Sequence, residues 1–216
     1  MICLFVNTAT TESFSDKKIK ICVLKGSPKK NGYTEHMLNT FLENFPCAST
    51  DIFDAYAVKA KPCTDCKFCC QTFGCSSNDL DDFFKSYEIC DIFVAAFPIY
   101  FLSIPAPMKS VLDRFQKYFS ARFSLNIKRP VEKERIGVLI SSCGSNDETG
   151  FSIALKQWKM AFSVSGIKLV ENICLSDTDS DEVSEEKYLQ QIDRSIREIN
   201  NFLKGRSSYV NGTCNT

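Results

Sequence analysis

Three features of this 216-residue chain predict an α/β fold, a doubly wound five-stranded parallel sheet with helices on both faces. Apolar, mostly β-branched runs alternate with helical stripes five times along the chain. Two of those runs, DIFVAAFPIY at residues 91–100 and RIGVLISS at 135–142, have continuous apolar centres, as strands buried on both faces of a parallel sheet do. The chemically distinctive loops all follow strands, and such a sheet gathers them at its carboxyl edge, where the strand order reverses.

Taken in order, residues 1–17 form an extension with a short apolar opening and a Thr/Ser-rich run, TATTES, to which no function attaches. In KIKICVLKGSPKKNGYT, residues 18–34, Ile19, Ile21, Val23 and Leu24 make the first strand, the chain turns at Gly26, and a helical pattern opens at Thr34. Met37, Leu38, Phe41, Leu42 and Phe45 give that helix its buried stripe, and Pro46 closes it. Residues 51–56 supply the second strand and residues 57–78 a cysteine-rich loop. Leu80, Phe83, Phe84 and Tyr87 mark the next helix. The strand at 91–100 runs into an aromatic loop, IYFLSI, bracketed by Pro98, Pro105 and Pro107, and one helix carrying Met108, Val111, Leu112, Phe115 and Phe119 follows. After the strand at 135–142, the loop CGSNDETG leads to a helix with Ala154, Trp158, Ala161 and Phe162, which Gly166 breaks before the last strand at 167–175. The acidic turn SDTDSDEVSEE reads as the solvated start of a final helix whose Tyr188, Ile192, Ile196, Ile199 and Leu203 pack inward. One domain thus spans 18–204, and residues 205–216 read as a mobile tail.

Lys+Arg 26 balances Asp+Glu 26, so no global field recruits nucleic acid or an acidic membrane surface. No apolar stretch approaches the roughly 18 residues that span a bilayer. The opening MICLFVN lacks a basic n-region, so the expected location is cytoplasmic. There the 12 cysteines favour thiols, metal ligation or redox chemistry over structural disulfides. The single histidine, His36, falls on a helix face beside Glu35 and Asn39, which leaves hydrolytic triads and His-rich metal sites without their parts.

The loop after the first strand offers hydroxyls at Ser27 and Thr34, an amide at Asn31, glycines 26 and 32, and cations at Lys25, Lys29 and Lys30, all just before a helix N-terminus. The unpaired N–H groups and positive end of a helix suit a phosphate. The spacing is neither G-x-x-x-x-G-K-[ST] nor G-x-G-x-x-G, which points to a mononucleotide, while a solvated turn with incidental lysines has the same composition.

With GSPKKNGYT after the first strand, a C-x2-C-x2-C loop after the second and PIYFLSIPAPMKSVLDR after the third, the chain resembles the flavodoxin-like NAD(P)H-dependent FMN reductase family. Its branch of best likeness is the iron-sulfur flavoproteins, and the resemblance covers roughly residues 18–175. It implies that Ser27, Lys29, Asn31, Gly32, Tyr33 and Thr34 hold the FMN phosphate, that Pro98, Ile99, Tyr100 and Phe101 edge the isoalloxazine ring, and that Ser142, Cys143 and Gly144 complete the site. Family members often carry Asn where Tyr33 stands, which removes one side-chain contact and keeps the backbone N–H. A flat tricycle is served by apolar and aromatic walls with backbone donors near its carbonyls, although Tyr100 and Phe101 also fit as strand-end core. Asp113 and Arg114 read as structural, satisfying loop backbone or a dimer contact. A homodimer with the flavin near its interface is also implied.

Cys63, Cys66, Cys69 and Cys75 give C-x2-C-x2-C-x5-C, whose short spacings let successive thiolates curve around a compact [4Fe-4S] cluster. Zinc takes four thiolates too, more often from two separated C-x2-C knuckles, and unligated redox thiols with Cys70 as a competitor are the third reading. Cys22, Cys90 and Cys174 read as small buried hydrophobes, and Cys143 falls where the flavin is expected. The expected activity is an FMN-dependent oxidoreductase that takes hydride from NAD(P)H and passes electrons to a quinone, nitro compound, flavin or similar acceptor, with no protein residue as acid or base. The alternatives are an electron carrier linking a ferredoxin-like partner to FMN through the cluster, and a zinc-stabilised binding module without redox activity.

Overall fold

A computed structural model describes residues 18–180 and 183–205, so the expected extension at 1–17 and residues 206–216 of the expected tail lie outside the described residues. Five strands, β1 (Lys20–Lys25), β2 (Ser49–Asp54), β3 (Ile92–Pro98), β4 (Arg135–Ser142) and β5 (Ile167–Leu175), pair in the order β2-β1-β3-β4-β5, every pair parallel. This is the flavodoxin-like sheet, and its order reverses between β1 and β3.

Strand pleating sends alternate side chains to opposite faces, and the core divides accordingly. Ile21, Val23, Ile92, Val94 and Ala96 meet α1 (Tyr33–Leu42) and α7 (Glu186–Lys204) on one face. Cys22, Leu24, Phe93, Ala95 and Phe97 meet α3 (Asp81–Ile89), α4 (Ala106–Asp113), α5 (Gln116–Phe123) and α6 (Thr149–Ser165) on the other. Aromatic rings dominate that second face. Tyr87 stands edge-on to Phe93 and Phe115, with ring centroids 4.9 and 5.0 Å away, and its hydroxyl is 2.6 Å from that of Ser165. The buried Arg135 stacks its guanidinium over the Tyr87 ring and donates to the carbonyls of Tyr87 and Ser165, near the C-terminal ends of α3 and α6, where the helix dipole favours a cation.

Two expectations are corrected. The second strand ends at Asp54, whose carboxylate accepts from the Tyr56 N–H at 2.9 Å and caps a one-turn helix, α2 (Ala55–Val58). The single helix expected after the third strand is two, α4 and α5, because Arg114 and Phe115 bond back to the carbonyls of Val111 and Leu112 and tighten the chain at the join. The break turns Phe119 out to solvent at 40% exposure while Phe115 stays buried at 3%.

Candidate functional site

A cleft of about 980 Å³ opens at the carboxyl edge of the sheet, at the reversal of strand order. Its floor begins where β1 ends. The Gly26 N–H donates to the Ala96 carbonyl, and a Cβ on Gly26 would stand 2.9 Å from Met108 Cε, so the chain leaves the strand pressed against α4. Ser27 then turns the backbone by bonding the Lys29 N–H at 3.3 Å. Gly32 precedes α1 with no side-chain cap, and helix geometry leaves the Tyr33 and Thr34 N–H groups without an intrahelical acceptor. The buried Thr34 hydroxyl meets that of Ser142 at 2.7 Å, which ties the start of α1 to the end of β4.

The opposite wall is Pro98, Ile99 and Tyr100. The Ile99 N–H donates to the Ser142 carbonyl at 2.7 Å, and Tyr100 and Ser103 exchange two backbone bonds around a two-residue turn. Both central residues of that turn have positive φ, 46° at Phe101 and 60° at Leu102, a conformation that aromatic and aliphatic side chains rarely hold. Gly150 at the start of α6 lets the turn sit there, since a Cβ would fall 2.4 Å from Ile99 Cγ2.

Eleven of the thirteen residues named from sequence line the cleft: Ser27, Lys29, Asn31, Gly32, Tyr33 and Thr34, then Pro98, Ile99 and Tyr100, then Ser142 and Gly144. Two do not. Phe101 projects from the turn fully into solvent, and the Cys143 thiol turns toward the Ser145 hydroxyl, 3.5 Å away. The turn after β5 was missed. Its Thr178 and Asp179 line the cleft because their N–H groups donate to the carbonyls of Cys143 and Gly144, and Asp179 packs so close that Gly144 has no room for a Cβ. That acidic turn is therefore a wall of the cleft as well as the approach to a helix; residues 181–182 within it lie outside the described residues. The parallel order alone could have signalled this, since the loop after β5 must share the edge.

Charge is arranged for an anion at the α1 end. Glu35 accepts from Lys25 Nζ at 3.1 Å and the Asn31 N–H at 3.0 Å, bonds that hold its carboxyl below the usual range. Lys29 and Lys30 line the same end of the cleft, and Lys30 adds to the field that holds Glu35 ionised.

The cysteine loop forms a second concavity, in which Cys63, Cys66, Cys69, Cys70 and Cys75 all line one pocket. A 3-10 turn at Phe68–Cys70 curls the loop, with Asp65 and Lys67 at positive φ before it. The hydroxyl of Ser76 lies 3.2 Å from Cys66 Sγ and lowers that thiol's pKa, whereas burial raises that of Cys69. Among the described residues no three His, Cys, Asp or Glu side chains converge to hold a single ion, the arrangement a structural zinc requires. The thiols that line the pocket are the donor type that an iron-sulfur centre takes, one sulfur per iron. Arg114 is structural as expected, and its buried guanidinium bonds the Lys61 and Ser77 carbonyls, Asp79 and Cys75.

The sequence matches the NADPH-dependent FMN reductase family over residues 19–182. The chain belongs to that family. Two curated relatives are described as iron-sulfur flavoproteins: one from Archaeoglobus fulgidus, 26% identical over 148 residues and covering 65% of this chain and 64% of the relative, and one from Methanosarcina thermophila, 26% identical over 134 residues and covering 60% and 65%. The chain thus spans just under two thirds of the length of these relatives. Its fold is similar to that of an NAD(P)H:quinone oxidoreductase from Methanothermobacter marburgensis, with a TM-score of 0.61, 14% identity and coverage of 86% of this chain and 98% of that one. FMN, the family's cofactor, suits the cleft of this family member: an uncapped helix start, Lys29 and Lys30, and an aromatic wall surround a volume at the upper end of the usual range for ligand sites.

Proposed function

We propose that this member of the FMN reductase family is an FMN-dependent oxidoreductase that takes hydride from NAD(P)H and passes electrons to a small acceptor such as a quinone, a nitro compound or free flavin. The supporting observation is the meeting of four strand-end loops around one cleft, with an anion-ready helix start at one side and Tyr100 at the other. Bound FMN supplies acceptance of a hydride and its release as one or two electrons. The chain's own residues bind and orient. Tyr33 and Thr34 offer N–H groups to the phosphate, Lys29 and Lys30 balance its charge, and Pro98, Ile99 and Tyr100 present an apolar edge to the ring. Thr34 and Ser142, joined through their hydroxyls, keep the phosphate and ring ends of the cleft in fixed relation. No side chain is asked to act as acid or base. Protein reconstituted with FMN should oxidise NADH or NADPH in the presence of one of these acceptors, and failure with both nicotinamides and every acceptor refutes the proposal.

A second reading rests on the cysteine pocket: a [4Fe-4S] centre on Cys63, Cys66, Cys69 and Cys75 that relays electrons between a ferredoxin-like donor and FMN. Replacing Cys66 with Ser should abolish both the cluster and donor-driven flavin reduction, and an unchanged rate sinks that role. Family likeness further supports a homodimer, which equilibrium sedimentation tests; no described helix is long and apolar enough to cross a membrane.

A further inference from the structure

The side of α4 and α5 turned to the cysteine loop carries Arg114, Lys117 and Ser120, spaced three residues apart so that they stack along one face. Each is nearly inaccessible to solvent. The Arg114 side chain is 2% exposed, donates its Nε–H to Cys75 Sγ at 3.1 Å, and commits the rest of its fork to the Lys61 and Ser77 carbonyls and to Asp79. Lys117 holds its ammonium 3.7 Å from the centroid of the Phe84 ring and 2.9 Å from Glu88 Oε1. The Ser120 hydroxyl lies 3.3 Å from Cys69 Sγ and 3.6 Å from Cys70 Sγ. Burying two cations beside five cysteines is costly, and among the described residues each makes one close ion pair, Arg114 with Asp79 and Lys117 with Glu88. A neutral thiol gives little in return, being a weak acceptor. A thiolate-ligated metal centre carries surplus negative charge and takes hydrogen bonds at its sulfurs, which raise its reduction potential.

We propose that Arg114 is the positioning residue of the cysteine centre and sets its reduction potential, with Lys117 and Ser120 in support. This rests on the [4Fe-4S] reading given above. The step concerned is the uptake of one electron from an external donor of lower potential: no bond forms or breaks, and the centre gains one negative charge that the two neighbouring cations offset. Arg114 also fixes the direction of the Cys75 sulfur, because the same guanidinium is anchored to loop carbonyls on both sides of the cysteine run.

Full-length wild-type protein and the variants Arg114→Gln, Lys117→Met and Ser120→Ala, all reconstituted without oxygen, are compared for iron per chain and for the reduced-to-oxidised ratio of the centre at one fixed poise set by a mediator dye. The ratio should fall roughly tenfold in Arg114→Gln, as loss of a charge-assisted hydrogen bond implies, and by less in the other two. Fully loaded variants with unchanged ratios overturn the proposal. If Arg114→Gln loses its iron or does not fold, the other variants decide: a lowered ratio supports the assignment and an unchanged one overturns it. A wild type that takes up no iron overturns the cluster reading, and this inference with it.

Discussion

Gly137 shows how little room single residues have in this fold. It lies on β4 where the register with β5 shifts, and a Cβ there would stand 2.7 Å from Phe162 Cε2 and 2.8 Å from Ile167 Cγ2. Gly137→Ala should therefore cost about 1–3 kcal/mol, measured by urea unfolding, because neither neighbour can withdraw from a packed core. Asp79 acts through charge. Partial burial pushes its carboxyl up, but the Lys61 N–H, Arg114 and Ser77 outweigh that and hold it down, from 3.8 to about 2. A carboxyl depressed on folding stabilises the native state above its unfolded pKa, and the gain is lost as pH falls through the folded value. Wild type should thus lose about 2 kcal/mol more than Asp79→Asn between about pH 5 and pH 2 in paired unfolding curves. Parallel losses would contradict the network. Neither residue was legible as special from sequence, since a strand glycine and a loop aspartate show their roles only through long-range contacts.

At the scale of elements, legibility followed the strength of local patterns. β4 was bounded correctly by its apolar run, and β5 by Gly166 before it and the acidic turn after it. The join between α4 and α5 was not, because the apolar stripe continues through it and the tightening bonds of Arg114 and Phe115 to the carbonyls of Val111 and Leu112 leave no mark in the residue pattern. The tight turn at Phe101 and Leu102 was equally hidden, as it contains none of the Gly, Asn or Asp that normally signals positive φ. Strain of this kind gathers at ligand clamps. Phe101→Asn places a residue that tolerates this region at a fully exposed position and should raise stability by about 1 kcal/mol in chemical denaturation, whereas a loss would show that the aromatic side chain stabilises the turn.

For the whole molecule, the alternation of strands and helices sufficed to read the parallel sheet, and with it the edge at which the loops meet. Most of the cleft followed from that placement. The turn after β5 shares that edge by the same logic, but that Thr178 and Asp179 are its lining residues depends on their backbone bonds to the loop after β4, which no residue pattern announces. The cleft is held together across the molecule by Thr34 and Ser142, 108 residues apart in sequence, so its shape depends on the complete sheet. The most direct test of its assignment is an equilibrium titration of purified protein with FMN and, separately, with riboflavin, followed by quenching of flavin fluorescence. One equivalent of FMN should bind, and riboflavin, which lacks the phosphate that Lys29, Lys30 and the start of α1 would hold, should bind at least about tenfold more weakly. Equal affinity for the two, or no binding of either, would contradict the flavin site.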